Sequence, residues 1–194
     1  MSNIFHKKKK SINISISERN LLEFCKIFKS IRIKYFLLYG TLLGIYRNKK
    51  LINYDNDIDI GCFNESFNKN KKIIIDKLKK KNFLVFYESN TLITFSKNKN
   101  YIDLYLFSKI TFTGGRFAYL FYIPKKFLIK LKKIKFNNFD YLIPNLVEEF
   151  LTYCYGSDWK IPKPGKTAKT NLWLAIISKI FPTRFNKILR KIIF

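Results

Sequence analysis

The chain has 194 residues, 47% of them hydrophobic and 18% aromatic, which suits one domain with a substantial core and excludes a disordered chain. Against 13 Asp and Glu stand 38 Lys and Arg, a net charge of +25 that favours polyanions: phosphorylated substrates, anionic lipid or nucleic acid. An AT-rich genome would produce the same excess of Lys, Asn, Ile and Phe, so the charge alone assigns no partner.

The single histidine, His6, lies beside the run Lys7 to Lys10 in a basic terminus, which excludes Ser-His-Asp and Cys-His hydrolysis. Cys25, Cys62 and Cys154 are odd in number and lack CxxC spacing, so reduced cytoplasmic thiols are expected rather than zinc ligands or disulfides. The basic run is followed by Ser11-Ile12-Asn13-Ile14-Ser15, too polar for a signal peptide, and no stretch reaches the roughly 18 apolar residues of a spanning helix.

Residues 1–14 read as a basic tail. Ser15-x-x-Glu18 is a capping-box pattern, and Leu21, Leu22, Cys25, Phe28 and Ile31 recur at helical spacing, predicting a helix over 18–32. Tyr35 to Tyr39 predicts a buried strand ending at Gly40, with a helix starting over 41–46 and a basic loop over 47–56. Ile58, Ile60 and Cys62 alternate with Asp57, Asp59 and Gly61, a strand with one polar face. A Lys-rich helix is expected over 66–81. Strands follow over Phe83 to Tyr87, Thr91 to Phe95, Tyr101 to Phe107 and Phe117 to Ile123. Pro124 opens a short helix, Asn137-Asn138 turns a small hairpin, and Asn145 to Tyr155 forms a helix ended by Gly156. Residues 15–160 thus read as one α+β (mixed α/β) domain, a mixed sheet flanked by helices. Residues 161–165 read as a Pro-containing linker, and 161–194 together as linker plus basic tail.

The chemistry concentrates on a few acids. Residues two apart on a strand share a face, so Asp57 and Asp59 project together, and either both meet water or a cation sits between them. Asp103 lies in another apolar strand, Tyr101-Ile102-Asp103-Leu104-Tyr105. Three such carboxylates suit hard cations in phosphoryl transfer. Gly40-Thr41 at a strand-to-helix junction offers amides and a hydroxyl for phosphate, and Arg47, Lys49 and Lys50 offer positive charge nearby. Each feature alone has an ordinary reading: a solvated acidic face, a helix start, a protected edge strand, surface Arg. Their joint occurrence carries the inference.

The stretch Gly40-Thr41-Leu42-Leu43-Gly44-x-x-Arg47 with Ile52-x-x-Asp55-x-Asp57-Ile58-Asp59-Ile60 resembles the LicD / fukutin-related family of nucleotidyltransferase-fold phosphotransferases. Tyr155-Gly156-x-Asp158-Trp159 resembles it as well. Asn56 stands where the family has Asp, and Asn53-Tyr54 where it has Pro-Trp; alternation would turn Asn56 away from Asp57 and Asp59. The resemblance implies transfer of a phosphorylated alcohol from a CDP-linked donor, such as CDP-choline or CDP-ribitol, to a hydroxyl of a glycan or lipid-linked glycan of lipopolysaccharide, capsule or teichoic-acid type. It implies Mg²⁺ or Mn²⁺ on Asp57, Asp59 and Asp103, which would also be catalytic, Asp103 as base toward the acceptor. Gly40, Thr41, Arg47 and Asp55 would bind substrate. Trp159 reads as packed core before it reads as a base-stacking platform.

Near Asn171 a basic amphipathic helix is expected, with Leu172, Ala175, Ile176 and Ile180 on one side and Lys169, Lys179, Arg184, Lys187, Arg190 and Lys191 adding charge. It would either pack on the domain or lie on an anionic membrane, making the protein peripheral on the inner face of the cell membrane. Two other readings remain beside the transferase: a non-catalytic basic protein on nucleic acid or anionic membrane, and a nucleotidyltransferase that modifies protein or RNA. The acidic motif makes nucleic acid the weaker partner.

Overall fold

The computed structural model describes residues 11–169 apart from 112, together with 173. The basic run of residues 1–10 and the expected C-terminal helix, save for Trp173, lie outside the described residues.

Helix α1 (Ile14–Ser30) starts earlier than its sequence pattern predicts. Asn13, not Ser15, is the N-cap: its side chain accepts the Ile16 amide, and Ser15 Oγ donates to Asn13 Oδ1 at 3.1 Å. Residues 12 and 13, expected in the tail, are bound into the fold, because the Ile12 amide donates to Asp55 O and the Asn13 amide to Asn100 Oδ1.

Strand β1 (Tyr35–Leu37) leads into α2 (Tyr39–Asn48), then β2 (Ile58–Phe63) and α3 (Asn64–Lys79). Strands β3 (Leu84–Glu88), β4 (Leu92–Lys97) and β5 (Asn100–Phe107) complete a five-stranded mixed sheet of order β1-β2-β5-β4-β3. Strands β2 and β5 run parallel; the other neighbours are antiparallel.

The predicted single strand over 117–123 is instead a hairpin, β6 (Gly115–Ala118) and β7 (Phe121–Pro124). Its turn includes Tyr119 at φ +53°, without the Gly, Asn or Pro that would have announced it. The short helix α4 (Lys125–Leu128), the hairpin β8 (Lys132–Phe136) with β9 (Phe139–Ile143), and α5 (Val147–Tyr155) follow.

One face of the sheet is sealed by α1. Phe24 packs edge-on against Phe95 of β4 and Phe83, and stacks with Phe28 at 5.0 Å. All four rings are essentially out of water, so truncating any of them would cost about 3–5 kcal/mol. On the other face Gly61 makes room for Phe36, whose ring would lie 2.3 Å from a Cβ at that position. The acids lie on this second face. No helix among the described residues is long and apolar enough to cross a membrane.

Candidate active site

The site forms where α2 begins beside β2. The Asp59 amide donates to Thr41 Oγ1 at 2.9 Å, and the Gly40 amide donates to Asp59 Oδ2 at 3.1 Å. These two bonds lock the first turn of α2 onto the acidic strand. Thr41 is 2% exposed, so its hydroxyl, expected on a substrate phosphate, serves inside the fold to hold Asp59. Gly40 has a second consequence. A Cβ there would lie 2.0 Å from Asp55 Oδ2 and 3.5 Å from Asp59 Oδ2, so the missing side chain is what lets Asp55 approach Asp59.

Asp59 pairs in register with Asp103 across β2 and β5, and both are 7% exposed. Asp103 Oδ1 accepts Thr94 Oγ1 at 2.7 Å. Burial, then the charges of Asp57, Asp55 and Asp103, push the Asp59 carboxyl well above the usual carboxylate range. Asp55, Asn56 and Asp57 precede β2, in a loop where strand alternation does not apply, so all three line the cleft, Asn56 included.

That cleft has a volume of about 270 Å³. Tyr39, Gly40, Arg47, the acids Asp55, Asp57 and Asp59, Tyr105 and Tyr155 line it; Asp103 stands outside the lining. Arg47 ties the end of α2 to the far wall, donating from Nη1 to Trp159 O at 2.9 Å and from Nε to Asn48 Oδ1. Trp159 is 5% exposed and tilted against Tyr46, a packed residue that also borders the cleft. Tyr39 adopts φ +38°, stacks on Phe121 at 4.3 Å, and buries a hydroxyl without a hydrogen-bond partner among the described residues. Strain and an orphaned polar atom at one residue are features of ligand sites.

Residues 161–165, expected as a linker, fold back instead. Ile161, Lys163, Gly165, Lys166, Thr167 and Ala168 line the cleft, and the Lys169 amide donates to Cys154 O at 2.7 Å. Asp158 holds this segment through Lys163 and through Lys166 at 2.5 Å. Lys163 and Lys166 are cleft cations that sequence reasoning missed. Their composition, Pro-Lys-Pro-Gly-Lys, reads as loop, and nothing local shows what it folds against.

Carboxylate oxygens are hard donors, and crowded buried acids call for a cation, so the donor set fits Mg²⁺ or Mn²⁺. Among the described residues, however, no three Asp, Glu, His or Cys side chains are arranged to hold an ion by themselves.

A family model described as LicD/FKTN/FKRP, nucleotidyltransferase domain, matches residues 32–146, which include Gly40, Asp57, Asp59 and Asp103. The chain belongs to this family. Relatives of this LicD/FKTN/FKRP chain include ribitol-5-phosphate transferase FKTN of Macaca fascicularis, 27% identical over 160 residues, which are 75% of this chain and 34% of the relative. The FKTN of Homo sapiens matches to the same extent. An uncharacterized protein of Rickettsia typhi, RT0683, is 27% identical over 64% of this chain and 43% of its own. The chain therefore spans about a third of the length of its FKTN relatives. Among solved structures, antibiotic-resistance factor ANT(2'')-Ia superposes with a TM-score of 0.53 at 11% identity, over 93% of this chain and 96% of that one. That likeness concerns the fold alone. The α+β architecture expected from the order of predicted strands and helices is the one observed.

Proposed function

We propose that the protein transfers a phosphorylated alcohol, of the ribitol-phosphate or phosphocholine kind, from a CDP-linked donor to a hydroxyl of a cell-surface glycan. The observation that carries this reading is the buried pair Asp59 and Asp103, with Asp59 in the wall of a cleft that also holds Arg47, Lys163 and Lys166. The FKTN relatives, named as ribitol-5-phosphate transferases, favour a polyol phosphate.

Asp57, Asp59 and Asp103 would hold Mg²⁺ or Mn²⁺. Mg²⁺ is commonly bound by one or two carboxylates plus substrate phosphates, which accords with a site that lacks a three-ligand protein cage. When bound, the ion would neutralise charge on the donor's phosphate oxygens. The chain's own residues supply the rest. Arg47, Lys163 and Lys166 draw in and orient the diphosphate. Tyr39, Tyr105 and Trp159 give the cleft apolar walls that exclude water. Asp103 takes the proton of the acceptor hydroxyl as its oxygen bonds to the alcohol-bearing phosphorus and the bond to the departing CMP breaks. On this reading the protein works in the cytoplasm, where the basic residues beyond 169 would meet an anionic membrane.

Incubated with Mn²⁺ and a panel of CDP-alcohols, the wild type should release CMP, and the double variant Asp57→Asn with Asp59→Asn should release none. Mn²⁺ alone should raise the wild-type melting temperature, since a ligand that binds only the folded state stabilises it. Absence of CMP release with every donor, together with no response to Mn²⁺, would refute the reading.

A further inference from the structure

We propose that the basic corner formed by α4 and the start of β8 docks on an anionic lipid bilayer, with Ile129 entering the headgroup layer. This contact stands independently of the transferase reading.

From Lys125 to Lys135 six of eleven residues are lysine and none is acidic, against 38 Lys and Arg in all 194 residues. A compositional bias spread over the chain would not concentrate charge in this way. Lys125, Lys126, Lys130, Lys132, Lys133 and Lys135 are all exposed. Lys126 pairs with Glu149 at 2.7 Å, and the other five make no ion pair among the described residues. Asp140 stands opposite Lys135 in the β8–β9 register, so the positive charge is purest from Lys125 to Lys133. Glu148, beside Glu149 at the start of α5, is engaged by Lys160 and by the Tyr46 hydroxyl.

The short helix shapes this corner. Ile129 keeps helical backbone angles at the end of α4, φ −70° and ψ −47°, so it shares a side of the turn with Lys125 and Lys126, four and three residues before it. Phe127 and Leu128 turn inward, and Phe127 packs edge-on against Phe150 of α5 at 5.4 Å. That packing leaves Ile129 60% exposed with lysines on both sides of it. The Asn145 amide donates to Phe127 O at 2.8 Å, which brings Leu146, 43% exposed, beside the same turn. Single exposed apolar residues are common on any surface, but here the surrounding charge supplies a direction. Lysine stems lie along apolar matter while their ammonium groups meet headgroup phosphates, and an aliphatic tip enters the boundary beneath them. Single-stranded RNA would call for exposed rings on which bases stack, and the rings in and beside the run, Phe127 and Phe136, are buried.

The other lysine-dense stretch, on α3, lies elsewhere. That helix packs with α1 on the opposite face of the sheet, carries Asp76, and has Lys71 paired with Glu88. The α4 corner is on the side of the acids. Tyr105, two residues beyond Asp103 on β5, packs edge-on against Phe121 of β7 at 5.5 Å, and β7 leads directly into α4. A bilayer docked at α4 therefore meets the side of the sheet that carries the cleft, which suits an acceptor linked to lipid.

The test sediments the full chain with vesicles of phosphatidylcholine, with and without phosphatidylglycerol, and titrates it in parallel with single-stranded RNA and with CDP. Wild type should bind the anionic vesicles and not the neutral ones. The triple variant Lys130→Gln, Lys132→Gln, Lys133→Gln should bind them about 100-fold more weakly, since each lysine at an anionic leaflet contributes about fivefold. Ile129→Ser should weaken vesicle binding several-fold and leave RNA binding unchanged, and Ile129→Trp should strengthen vesicle binding, because Trp favours the interface. Melting temperature and CDP affinity should match wild type in all three variants, as the substituted side chains are exposed and lie outside the cleft. Failure of wild type to bind anionic vesicles would overturn the proposal. So would a triple variant that binds vesicles as wild type does, which would assign membrane contact to the residues beyond 169, or one that loses RNA binding alone. Vesicle binding by Ile129→Ser equal to that of wild type would overturn it as well.

Discussion

Asp59 stands beside Asp103 across two parallel strands, both nearly out of water, with Asp55 and Asp57 adding their charge to Asp59 from the preceding loop. At neutral pH these acids repel one another in the folded state. The Asp59 carboxyl is raised, so it holds its proton more tightly folded than unfolded. Its stabilising contribution is therefore present below the unfolded value and is lost as pH rises toward the folded value. Stability should decline from mildly acidic to neutral pH, and Asp59→Asn should remove the decline while keeping a carbonyl for the Gly40 amide. At neutral pH the variant should melt about 2–4 °C higher, the shift that about 1 kcal/mol gives at this size. A lower melting temperature, or an unchanged pH slope, would show that the acids do not destabilise the fold.

Gly40 separates stability from activity. In Gly40→Ala the added Cβ meets the tip of the Asp55 side chain, which can rotate away, and Ala gains about 1 kcal/mol over Gly within a helix. The melting temperature should hardly change. Donor cleavage should fall about 100-fold, because Asp55 leaves its place beside Asp59 and small misplacements at a reacting centre are costly. Gly61→Ala is the contrast: its Cβ would enter the Phe36 ring in the core, so the fold should lose about 1–3 kcal/mol. If Gly40→Ala cleaved the donor as fast as wild type, the close approach of Asp55 to Asp59 would have no functional weight; if chemical denaturation found it less stable than Gly61→Ala, Asp55 could not have rotated away.

The three thiols are buried, and burial pushes Cys62 up to about 12 and Cys25 and Cys154 higher still. A thiol that stays protonated is a poor nucleophile. A disulfide-exchange reagent should titrate none of them in the native protein over minutes and all three in denaturant. Fast labelling of a single thiol under native conditions would place that residue at a point of local opening.

The sequence made the acidic strand legible because Ile58, Ile60 and Cys62 alternate with polar or small residues over a run long enough to fix its face. It misled at Asn56, where the same alternation was carried into a loop. It misled at the start of α1, where Ser15-x-x-Glu18 satisfies the capping-box pattern and Asn13, followed three residues on by Ile16, does not, yet Asn13 is the cap and its amide is held by Asn100. The role of Thr41 was hidden for a similar reason: a hydroxyl at a helix start can face a ligand or a strand, and the pairing with the Asp59 amide is a tertiary fact. The turn at Tyr119 and the return of residues 161–169 over the cleft carry no local signal at all.

That returning segment gives the last prediction. Asp158 binds both Lys163 and Lys166, and their hydrogen bonds, ahead of their charge, hold its carboxyl well below the ordinary value of 3.8. A carboxyl depressed in the folded state contributes fully above its unfolded value and loses that contribution as pH falls through the folded one. The segment should thus stay closed at every pH above the ordinary aspartate range and loosen only in stronger acid. Exposed ion pairs add little to global stability, so Asp158→Asn should melt close to wild type. Its effect should be local: with the tether gone, trypsin should cut after Lys166 several-fold faster than in wild type, as cleavage follows the population of the open segment. A CDP-linked donor, by drawing Lys163 and Lys166 onto its phosphates, should restore protection in the variant. Equal cleavage of both proteins would mean that the Lys169 amide bond to Cys154 O, and not Asp158, holds the segment over the cleft.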